Sequence, residues 1–343
     1  MAAGDLYDIT IVGGGPAGMY AAFYAGMRDM KVKLIEGKGE LGGFLHTYPE
    51  KTIWDVGGIP PIRGEQLIVW LAQQARTFNP TLVFHQRVND LQRLPDGNYR
   101  LRTDTGELHD TRTIVLAVGR GITEVQKLDI TGADRYELNN LYYTVQDLES
   151  FRGKRVLVSG GGNSAVDWAI ELASVAKQVT VVHRRDEFAA MEHSVAVMKE
   201  VAEVRTPYSV KELHGEKTAI HTVSIARMDS GELERLEVDA VVVSHGYTRN
   251  HGDILKWGLK LDEAGIAVSD QTETNLPGIF AAGDCAAYNN KVKLIAGAFI
   301  DAVLAVNNAK QYIDPTAHSM AYVSSHNEKF REMNRQVHAL RRN

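Results

Sequence analysis

Short apolar runs, each followed by glycines and a segment of helical length, recur along the chain. The first series has an apolar run at 9–12, glycines between 13 and 18, a helical pattern at 19–26 and an alternating strand at 32–35. A short strand followed by a longer helical segment is typical of a βαβ unit. The pattern predicts an α/β fold in which parallel strands alternate with helices.

A second series has the same order further along the chain. Its strands are at 155–159 and 178–182, with glycines after the first strand and a helical pattern at 166–176 between them. Two series of this kind predict two Rossmann-like, three-layer domains.

Other segments predict how the chain divides. An apolar strand at 113–119 ends in glycine before the second series, and the polar stretch between 119 and 155 reads as a connection. Late in the chain an apolar strand at 276–284 leads to a helix at about 294–309. We therefore expect the first domain to be interrupted by the second. The expected boundaries are 1–118 and 284–343 for the first domain and 119–283 for the inserted domain.

The glycines of the first series have the spacing of a dinucleotide fingerprint. Gly13 makes the tight turn, Gly15 lets the backbone approach a pyrophosphate, and Gly18 lets the helix pack closely on the strand. The helix directs its N-terminal amides towards the phosphates. Glu36 ends the next strand, at the place where an acid accepts hydrogen bonds from a ribose hydroxyl.

The second series carries the opposite charge at the matching position. With the two fingerprints aligned on their first glycines, the counterpart of Glu36 is His183, followed by Arg184 and Arg185. Cationic side chains suit the 2′-phosphate of NADPH, whereas an acid suits an unphosphorylated ribose. We therefore predict FAD at the first turn and NADPH at the second. A solvated strand end is the alternative interpretation of the two arginines.

The composition excludes several functional classes. The 343 residues are enough for about two domains, and the net charge of -5 is spread along the chain, which argues against a nucleic-acid binder. The first eight residues carry two acids and no basic residue, so a signal peptide is not expected. The apolar stretches are too short for a membrane span. We expect a cytosolic protein that binds neither nucleic acid nor membrane.

Cys285 is the only cysteine of the chain. A single thiol cannot form an intramolecular disulfide, which excludes mechanisms that store an electron pair in a dithiol. The sequence predicts a small, partly buried residue just after a turn.

Longer motifs make the chain resemble a known family. They are GGGPAG at 13–18, LGG at 41–43, YPEKTIWDVGG at 48–58, FRGKRVLVSGGGNSAVDWA at 151–169, HRRDEF at 183–188, GIFAAGD at 278–284, KLIAGAF at 293–299 and AVNNAKQYIDP at 305–315. On these motifs the chain resembles the ferredoxin/flavodoxin–NADP reductases of the thioredoxin-reductase fold, nearly from end to end. The disulfide-reducing relatives carry a cysteine pair that 44–48 and 141–153 lack.

The resemblance implies roles for individual residues. Glu36 would bind the adenosine ribose, and the Val88 backbone would contact the adenine. Asp284 would hold the flavin chain, with a helix N-cap as its alternative role. Tyr48 would stack on the isoalloxazine ring, with a core position as its alternative. The full set of candidate cofactor-binding residues is Gly13, Gly15, Pro16, Ala17, Gly18, Glu36, Gly43, Phe44, Tyr48, Val88, Thr123, Gly160, Gly162, Asn163, Ser164, Ala165, His183, Arg184, Arg185, Gly283, Asp284, His326 and Glu328.

The chain departs from the family pattern at two positions, and its C-terminal part aligns loosely. Phe44 stands where the family usually has a Gln that hydrogen-bonds the flavin, and Ala189 stands where relatives often have another Arg. The family's C-terminal segment covers the flavin, which makes His326 the candidate here and Tyr322 its competitor. The stretch 328–343 has a net charge of +3 and is expected either to dock an acidic ferredoxin or to be a solvated helical tail.

By this resemblance, hydride passes from NADPH to the flavin, and single electrons then pass to ferredoxin or flavodoxin. The cofactors carry this chemistry, so no catalytic side chain is predicted. The family also suggests a homodimer.

Three alternatives stay open. A bacillithiol-disulfide reductase would have a thiol in the first glycine turn, where this chain has Ala17. A reductase of ferric siderophores, quinones or low-molecular-weight disulfides would use the same flavin edge. A non-catalytic sensor would bind both nucleotides, and rapid bleaching of the flavin by NADPH would eliminate it.

Overall fold

The computed structural model describes residues 5–119, 121–137, 139–250, 252–262, 265–321, 327–331 and 333–335. Its α-helices are α1 (Pro16–Met27), α2 (Gly64–Ala75), α3 (Asn163–Ala173), α4 (Glu192–Val201) and α5 (Ile295–Ile313). Its strands are β1 (Tyr7–Val12), β2 (Val32–Ile35), β3 (Thr52–Ile53), β4 (Ile62–Arg63), β5 (Thr81–Val83), β6 (Val88–Arg93), β7 (Tyr99–Thr103), β8 (Leu108–Leu116), β9 (Ile122–Val125), β10 (Leu141–Tyr142), β11 (Arg155–Ser159), β12 (Gln178–Val182), β13 (Glu203–Arg205), β14 (Tyr208–Glu216), β15 (Ala219–Arg227), β16 (Leu233–Glu237), β17 (Ala240–Val243), β18 (Tyr247–Asn250), β19 (Leu261–Asp262), β20 (Gly265–Ala267), β21 (Ile279–Ala281) and β22 (Ala286–Ala287). Among the described residues, no helix is both long enough and apolar enough to cross a membrane.

The chain divides into two compact units. Unit 1 comprises Met1–His46, Lys51–Ile122 and Asn250–Asn343, and unit 2 comprises Thr47–Glu50 and Thr123–Arg249. The boundaries at 122/123 and 249/250 fall within β9 and β18, which pair with each other.

Unit 1 is built on a seven-stranded mixed sheet. Its order is β5-β2-β1-β8-β7-β6, and β21 pairs with the second half of β8. Strands β5, β2, β1 and β8 run parallel, whereas β8, β7 and β6 run antiparallel. Ile9 and Ile11 of the central strand β1 are fully buried, as expected where both faces of a parallel sheet are covered. The first glycine turn follows the carboxyl end of this strand.

Unit 2 has a five-stranded parallel sheet and a three-stranded antiparallel sheet. The parallel order is β10-β17-β11-β12-β13, and the antiparallel order is β14-β15-β16. Two apolar clusters, drawn entirely from 128–243, form its core; one includes Leu157 and Ile220, the other Val158 and Trp168. The second glycine turn follows β11, which is the middle strand of the parallel sheet.

The structure confirms the α/β class and the predicted bounds of β2, β11 and β12. Helices α1 and α3 begin three residues earlier than predicted, at Pro16 and Asn163, directly after the glycine turns. Pro16 favours an early start because its ring pre-sets the helical φ and its missing N–H would be unpaired in the first turn anyway.

Two parts of the sequence interpretation differ from the structure. The stretch between 119 and 155 is more than a connection, because β10 adds a parallel strand to the sheet of unit 2. The predicted domain boundaries also differ. Residues 250–283 were assigned to the inserted domain, whereas their contacts place them in unit 1, where β21 pairs with β8 and β20 with β22. Thr47–Glu50 were assigned to the first domain, whereas their contacts place them in unit 2. Which nucleotide each unit binds stays a prediction.

Two candidate dinucleotide sites

The first glycine turn has no room for side chains at two positions. Gly13 has φ +107, and a Cβ there would lie 2.4 Å from the carbonyl oxygen of Ala117 at the end of the neighbouring strand. A Cβ at Gly18 would lie 1.8 Å from the carbonyl oxygen of Gly13. The turn and the close packing of α1 on β1 therefore require these two glycines.

Glu36 lies behind this turn with its carboxylate oriented by backbone amides. One oxygen accepts from the Gly14 N–H at 2.6 Å and the other from the Lys38 N–H at 2.8 Å. A carboxylate offers about four acceptor positions, so two hydrogen bonds leave capacity for ribose hydroxyls.

The LGG segment packs directly on the first glycine turn. The Gly42 N–H donates to the Gly14 carbonyl at 2.9 Å, and a Cβ at Gly43 would lie 2.7 Å from the Cα of Gly15. Gly43 begins a 3-10 turn, Gly43–Thr47, that contains Phe44. Phe44 is half-buried beside the turn at which the first nucleotide is predicted.

A second 3-10 turn, Gly283–Cys285, also reaches α1. A Cβ at Gly283 would lie 3.0 Å from the Cβ of Ala17. Asp284 is half-buried in this turn, and because α5 begins only at Ile295, Asp284 is not the N-cap of that helix. Sequence reasoning missed Asp301, whose buried carboxylate accepts from the Gly283 N–H at 2.8 Å.

The side chain of Cys285 is inaccessible to solvent. Its thiol is fully buried and donates towards the carbonyl oxygens of Leu116 and Ala282 at 3.1 and 3.3 Å. Burial raises the pKa of the thiol to about 11, so the nucleophilic thiolate is scarce at neutral pH. The sequence predicted a small, partly buried residue just after a turn; Cys285 is instead fully buried and is the last residue of the turn Gly283–Cys285.

The second glycine turn repeats the construction of the first in unit 2. Gly160 has φ +154, and a Cβ there would lie 2.4 Å from the carbonyl oxygen of Ser244, just after β17. Ala165 takes the place of the third glycine and is fully buried. A Cβ at Gly162 would meet nothing within 4 Å, which leaves the backbone open to a ligand.

The residues behind this turn differ in exposure: His183 is half-buried, whereas Arg184 and Arg185 are exposed. The ring of His183 packs against Gly161 and its Nε2 donates to the Glu187 carbonyl at 3.2 Å. Burial and then the positive charges of Arg184 and Arg185 lower the pKa of His183. Both arginines are exposed, and neither forms an ion pair with another described residue. Two free guanidinium groups at this edge fit a phosphate.

His245 is a further polar group at this edge that sequence reasoning missed. It shares a hydrogen bond of 2.8 Å between its Nε2 and the hydroxyl of Ser159, the last residue of β11. His245 is exposed as a whole residue, but desolvation of its ring by the neighbouring atoms and then the charges of Arg184 and His183 lower its pKa. In open α/β sheets ligands bind outside the carboxyl ends of neighbouring central strands, which is where His245 lies.

The remaining candidate residues are placed as follows. Tyr48 is half-buried and belongs to unit 2, where the hydroxyl of Thr144 donates to the Thr47 carbonyl at 2.7 Å. Val88 begins β6 and packs against the core of unit 1. Asn163 accepts from the Met191 N–H at 3.1 Å, and Ser164 is exposed beside it.

Part of the predicted site lies outside the described residues. The predicted residues that are not described are His326 and its competitor Tyr322, and the side chain of Thr123 is not described either. Glu328 is described; it is exposed and pairs with Arg331 at 3.4 Å. Lys329 of the basic tail pairs with Asp29 at 2.5 Å, which reduces the free positive charge there.

Comparison with known proteins identifies the family. Residues 7–302 match the family model described as pyridine nucleotide-disulphide oxidoreductase. The chain belongs to this family. Ferredoxin–NADP reductase 1 of Shouchella clausii is 53% identical over 334 residues, covering 97% of this chain and 96% of the relative. Ferredoxin–NADP reductase 1 of Bacillus pumilus is 52% identical over 338 residues, or 98% of each protein.

A solved structure supports the same assignment. Thioredoxin reductase of Lactococcus lactis is 28% identical, with a TM-score of 0.77 over 90% of this chain and 99% of its own. The family resemblance and the fold class inferred from the sequence motifs are confirmed.

Proposed function

We propose that this member of the family is an FAD-dependent ferredoxin–NADP reductase. The observation that carries the proposal is the similarity to relatives of that name, at 53% and 52% identity over nearly the whole chain. The opposite charges behind the two glycine turns support it, because they match nucleotides with and without a 2′-phosphate.

Unit 1 provides the residues for FAD. The N-terminal amides of α1 would meet its pyrophosphate, Glu36 its adenosine ribose, and Asp284 its flavin chain. When bound there, FAD would supply the redox chemistry that links NADPH, a hydride donor, to ferredoxin, a single-electron acceptor. Cys285 is the only cysteine of the chain and its thiol is fully buried, which argues against a dithiol mechanism.

Unit 2 provides the residues for NADPH. The open backbone at Gly162 would receive the pyrophosphate, and Arg184 and Arg185 would bind the 2′-phosphate bidentately or as a pair of charges. His183, fixed by Glu187 and packed under Gly161, would form the wall of the turn.

One experiment tests the function as a whole. The purified protein is reconstituted with FAD, mixed with NADPH, and offered a ferredoxin, a flavodoxin, thioredoxin or a low-molecular-weight disulfide in parallel. We expect rapid bleaching of the flavin followed by turnover with ferredoxin. Turnover with the disulfide alone, or a flavin that NADPH leaves oxidised, would contradict the proposal.

The arginines give a sharper prediction about nucleotide choice. Arg184→Ala together with Arg185→Ala should raise the KM for NADPH roughly a hundredfold while changing the KM for NADH only about twofold, because only NADPH carries the 2′-phosphate. Steady-state kinetics with both nucleotides measure this. Arg235→Ala is the matched control, since Arg235 is also exposed in unit 2 but lies on β16. Equal effects on both nucleotides would mean that the arginines do not read the phosphate.

The acceptor and the assembly follow from the proposed function. Ferredoxin is the proposed partner, flavodoxin is a second acceptor of the same type, and the expected assembly is a homodimer in the cytosol. Light scattering at several protein concentrations tests the assembly.

A further inference from the structure

Asp301 is a fully buried carboxylate in the second turn of α5. Its Oδ2 accepts the Gly283 N–H at 2.8 Å and pairs with Nζ of Lys291, and its Oδ1 accepts the hydroxyl of Tyr288 at 2.6 Å. The Lys291 side chain is only 5% exposed, so the ion pair is separated from solvent. One carboxylate thus gathers three donors from the segment 283–291, which precedes α5.

The Gly283 amide begins the turn that carries Asp284. On its other side the turn meets α1, since a Cβ at Gly283 would lie 3.0 Å from the Cβ of Ala17. The turn therefore packs against α1 on one side and is hydrogen-bonded to Asp301 on the other. Asp284 directly follows the held peptide, so losing that hydrogen bond would free the backbone that carries the Asp284 side chain.

Stability alone does not account for a buried charge at this position. The cost of desolvating two charges offsets most of their attraction, and an apolar pair of similar volume often stabilises a fold equally well. Asp301 is also the only charged residue between Ile295 and Lys310, and its helical neighbours from Ile295 to Val306 are otherwise apolar or glycine. A buried, fully hydrogen-bonded charge can instead specify a single geometry.

We propose that Asp301 is a positioning residue of the FAD site. It fixes the Gly283–Cys285 turn against α1 and so sets the direction in which Asp284 meets the flavin chain, with Lys291 as its charge partner. The inference rests on the proposed function, since it requires FAD in unit 1. Asp301 is itself fully buried, so its carboxylate would not touch the cofactor.

Two double variants separate positioning from stability. Asp301→Leu with Lys291→Met removes both charges and the hold on Gly283, whereas Asp301→Asn with Lys291→Met keeps an acceptor for the Gly283 N–H. FAD binding to the apoprotein is followed by quenching of FAD fluorescence, and thermal unfolding of the apoprotein is measured alongside. We expect the Leu/Met protein to unfold at or above the wild-type temperature but to bind FAD roughly tenfold more weakly, and the Asn/Met protein to recover most of the affinity.

A double-mutant cycle with Asp284→Ala tests whether Asp301 acts through Asp284. In that background the Leu/Met change should weaken FAD binding less than about twofold, because the side chain that it misplaces is absent. Arg28→Met is the matched control: Arg28 is another buried cation of unit 1, and it binds α5 through Asn307 at 2.6 Å, away from the turn. It should lower the unfolding temperature and leave FAD affinity unchanged.

The outcomes distinguish this inference from the proposed function. Additive effects in the cycle, or equal FAD affinities of the Leu/Met and wild-type proteins, would overturn the role of Asp301 while leaving the reductase intact. A wild-type protein that takes up no FAD would overturn both.

Discussion

At the scale of residues, glycines at matching turns serve different purposes. Gly18 has no room for a side chain, because a Cβ would lie 1.8 Å from a backbone oxygen, whereas a Cβ at Gly162 would meet nothing within 4 Å. Both belong to dinucleotide fingerprints. Gly18 is required by the packing of the protein on itself, whereas Gly162 leaves open space in which a ligand could approach the backbone.

This difference predicts opposite results for one substitution. Gly162→Ala should leave the unfolding temperature nearly unchanged, since φ is −94° and the space is open, yet raise the KM for NADPH roughly tenfold by obstructing the pyrophosphate. Gly18→Ala should instead destabilise unit 1 by about 1–3 kcal/mol. Thermal unfolding and steady-state kinetics measure both effects. A Gly162→Ala protein with wild-type KM would place the pyrophosphate elsewhere.

Cys285 provides a second prediction at this scale. The thiol is fully buried and its pKa is raised to about 11 by burial, so we expect no reaction with iodoacetamide at pH 7.5 in the folded protein. In denaturant one thiol per chain should react, as counted by mass spectrometry. Fast alkylation of the native protein, without loss of fold, would show that the turn around Cys285 opens.

At the scale of elements, the sequence pattern predicted those strands whose bounds depend only on residues that are close together in the sequence. Strands β2, β11 and β12 have the bounds that their apolar runs indicated, because both faces of each are buried. The antiparallel sheet β14-β15-β16 was not predicted. Its strands mix buried and exposed positions with two register shifts between β14 and β15, which blur the alternation that identifies a strand.

The same holds for the candidate sites: features within one βαβ unit were predicted, and contacts between residues distant in sequence were missed. Glycine spacing located both turns and the charges behind them, since these lie within one βαβ unit. Asp301 and the Ser159–His245 pair were missed because their partners are distant in sequence. A lone acid within the apolar first half of α5 was the available signal for Asp301, and nothing local marked His245.

The strand pair β11 and β17 carries a prediction about pH. Arg155 on β11 donates to both oxygens of Asp239, which precedes β17, and mainly this hydrogen bonding lowers the pKa of Asp239 to about 2. An unfolded Asp titrates near about 4, so the ion pair stabilises the fold above that pH and loses its contribution as pH falls from about 4 to 2. Because 41% of the Asp239 side chain is exposed, solvent screens the pair.

Asp239→Asn should therefore lower the free energy of unfolding by about 1 kcal/mol at pH 6, and the difference from wild type should shrink as pH falls below about 4. Urea denaturation at a series of pH values measures this. Asp229→Asn is the control. Asp229 accepts a hydrogen bond from Arg227, but this pair does not connect strands of the parallel sheet. A difference that stays constant down to pH 3 would assign the effect to packing rather than to charge.

At the scale of the whole molecule, unit 2 contains nearly all of the residues that are predicted to bind NADPH, in one continuous stretch. Its apolar clusters come entirely from 128–243, and its glycine turn, its arginines and the Ser159–His245 pair lie between 123 and 249. Only the short segment Thr47–Glu50 comes from elsewhere. A stretch of this length is within the range in which domains fold alone.

We therefore expect the excised segment 123–249 to unfold cooperatively and to bind NADP⁺ with a Kd within about tenfold of that of the full chain, but to bind no FAD. Circular dichroism during heating and calorimetric titration with each nucleotide measure this. Arg184→Ala with Arg185→Ala in the same segment should abolish the preference for NADP⁺ over NAD⁺ while leaving the melting curve in place. A folded segment that binds FAD as tightly as the full chain would reverse the assignment of nucleotides to units, because the charge behind each glycine turn would then not decide which nucleotide it accepts.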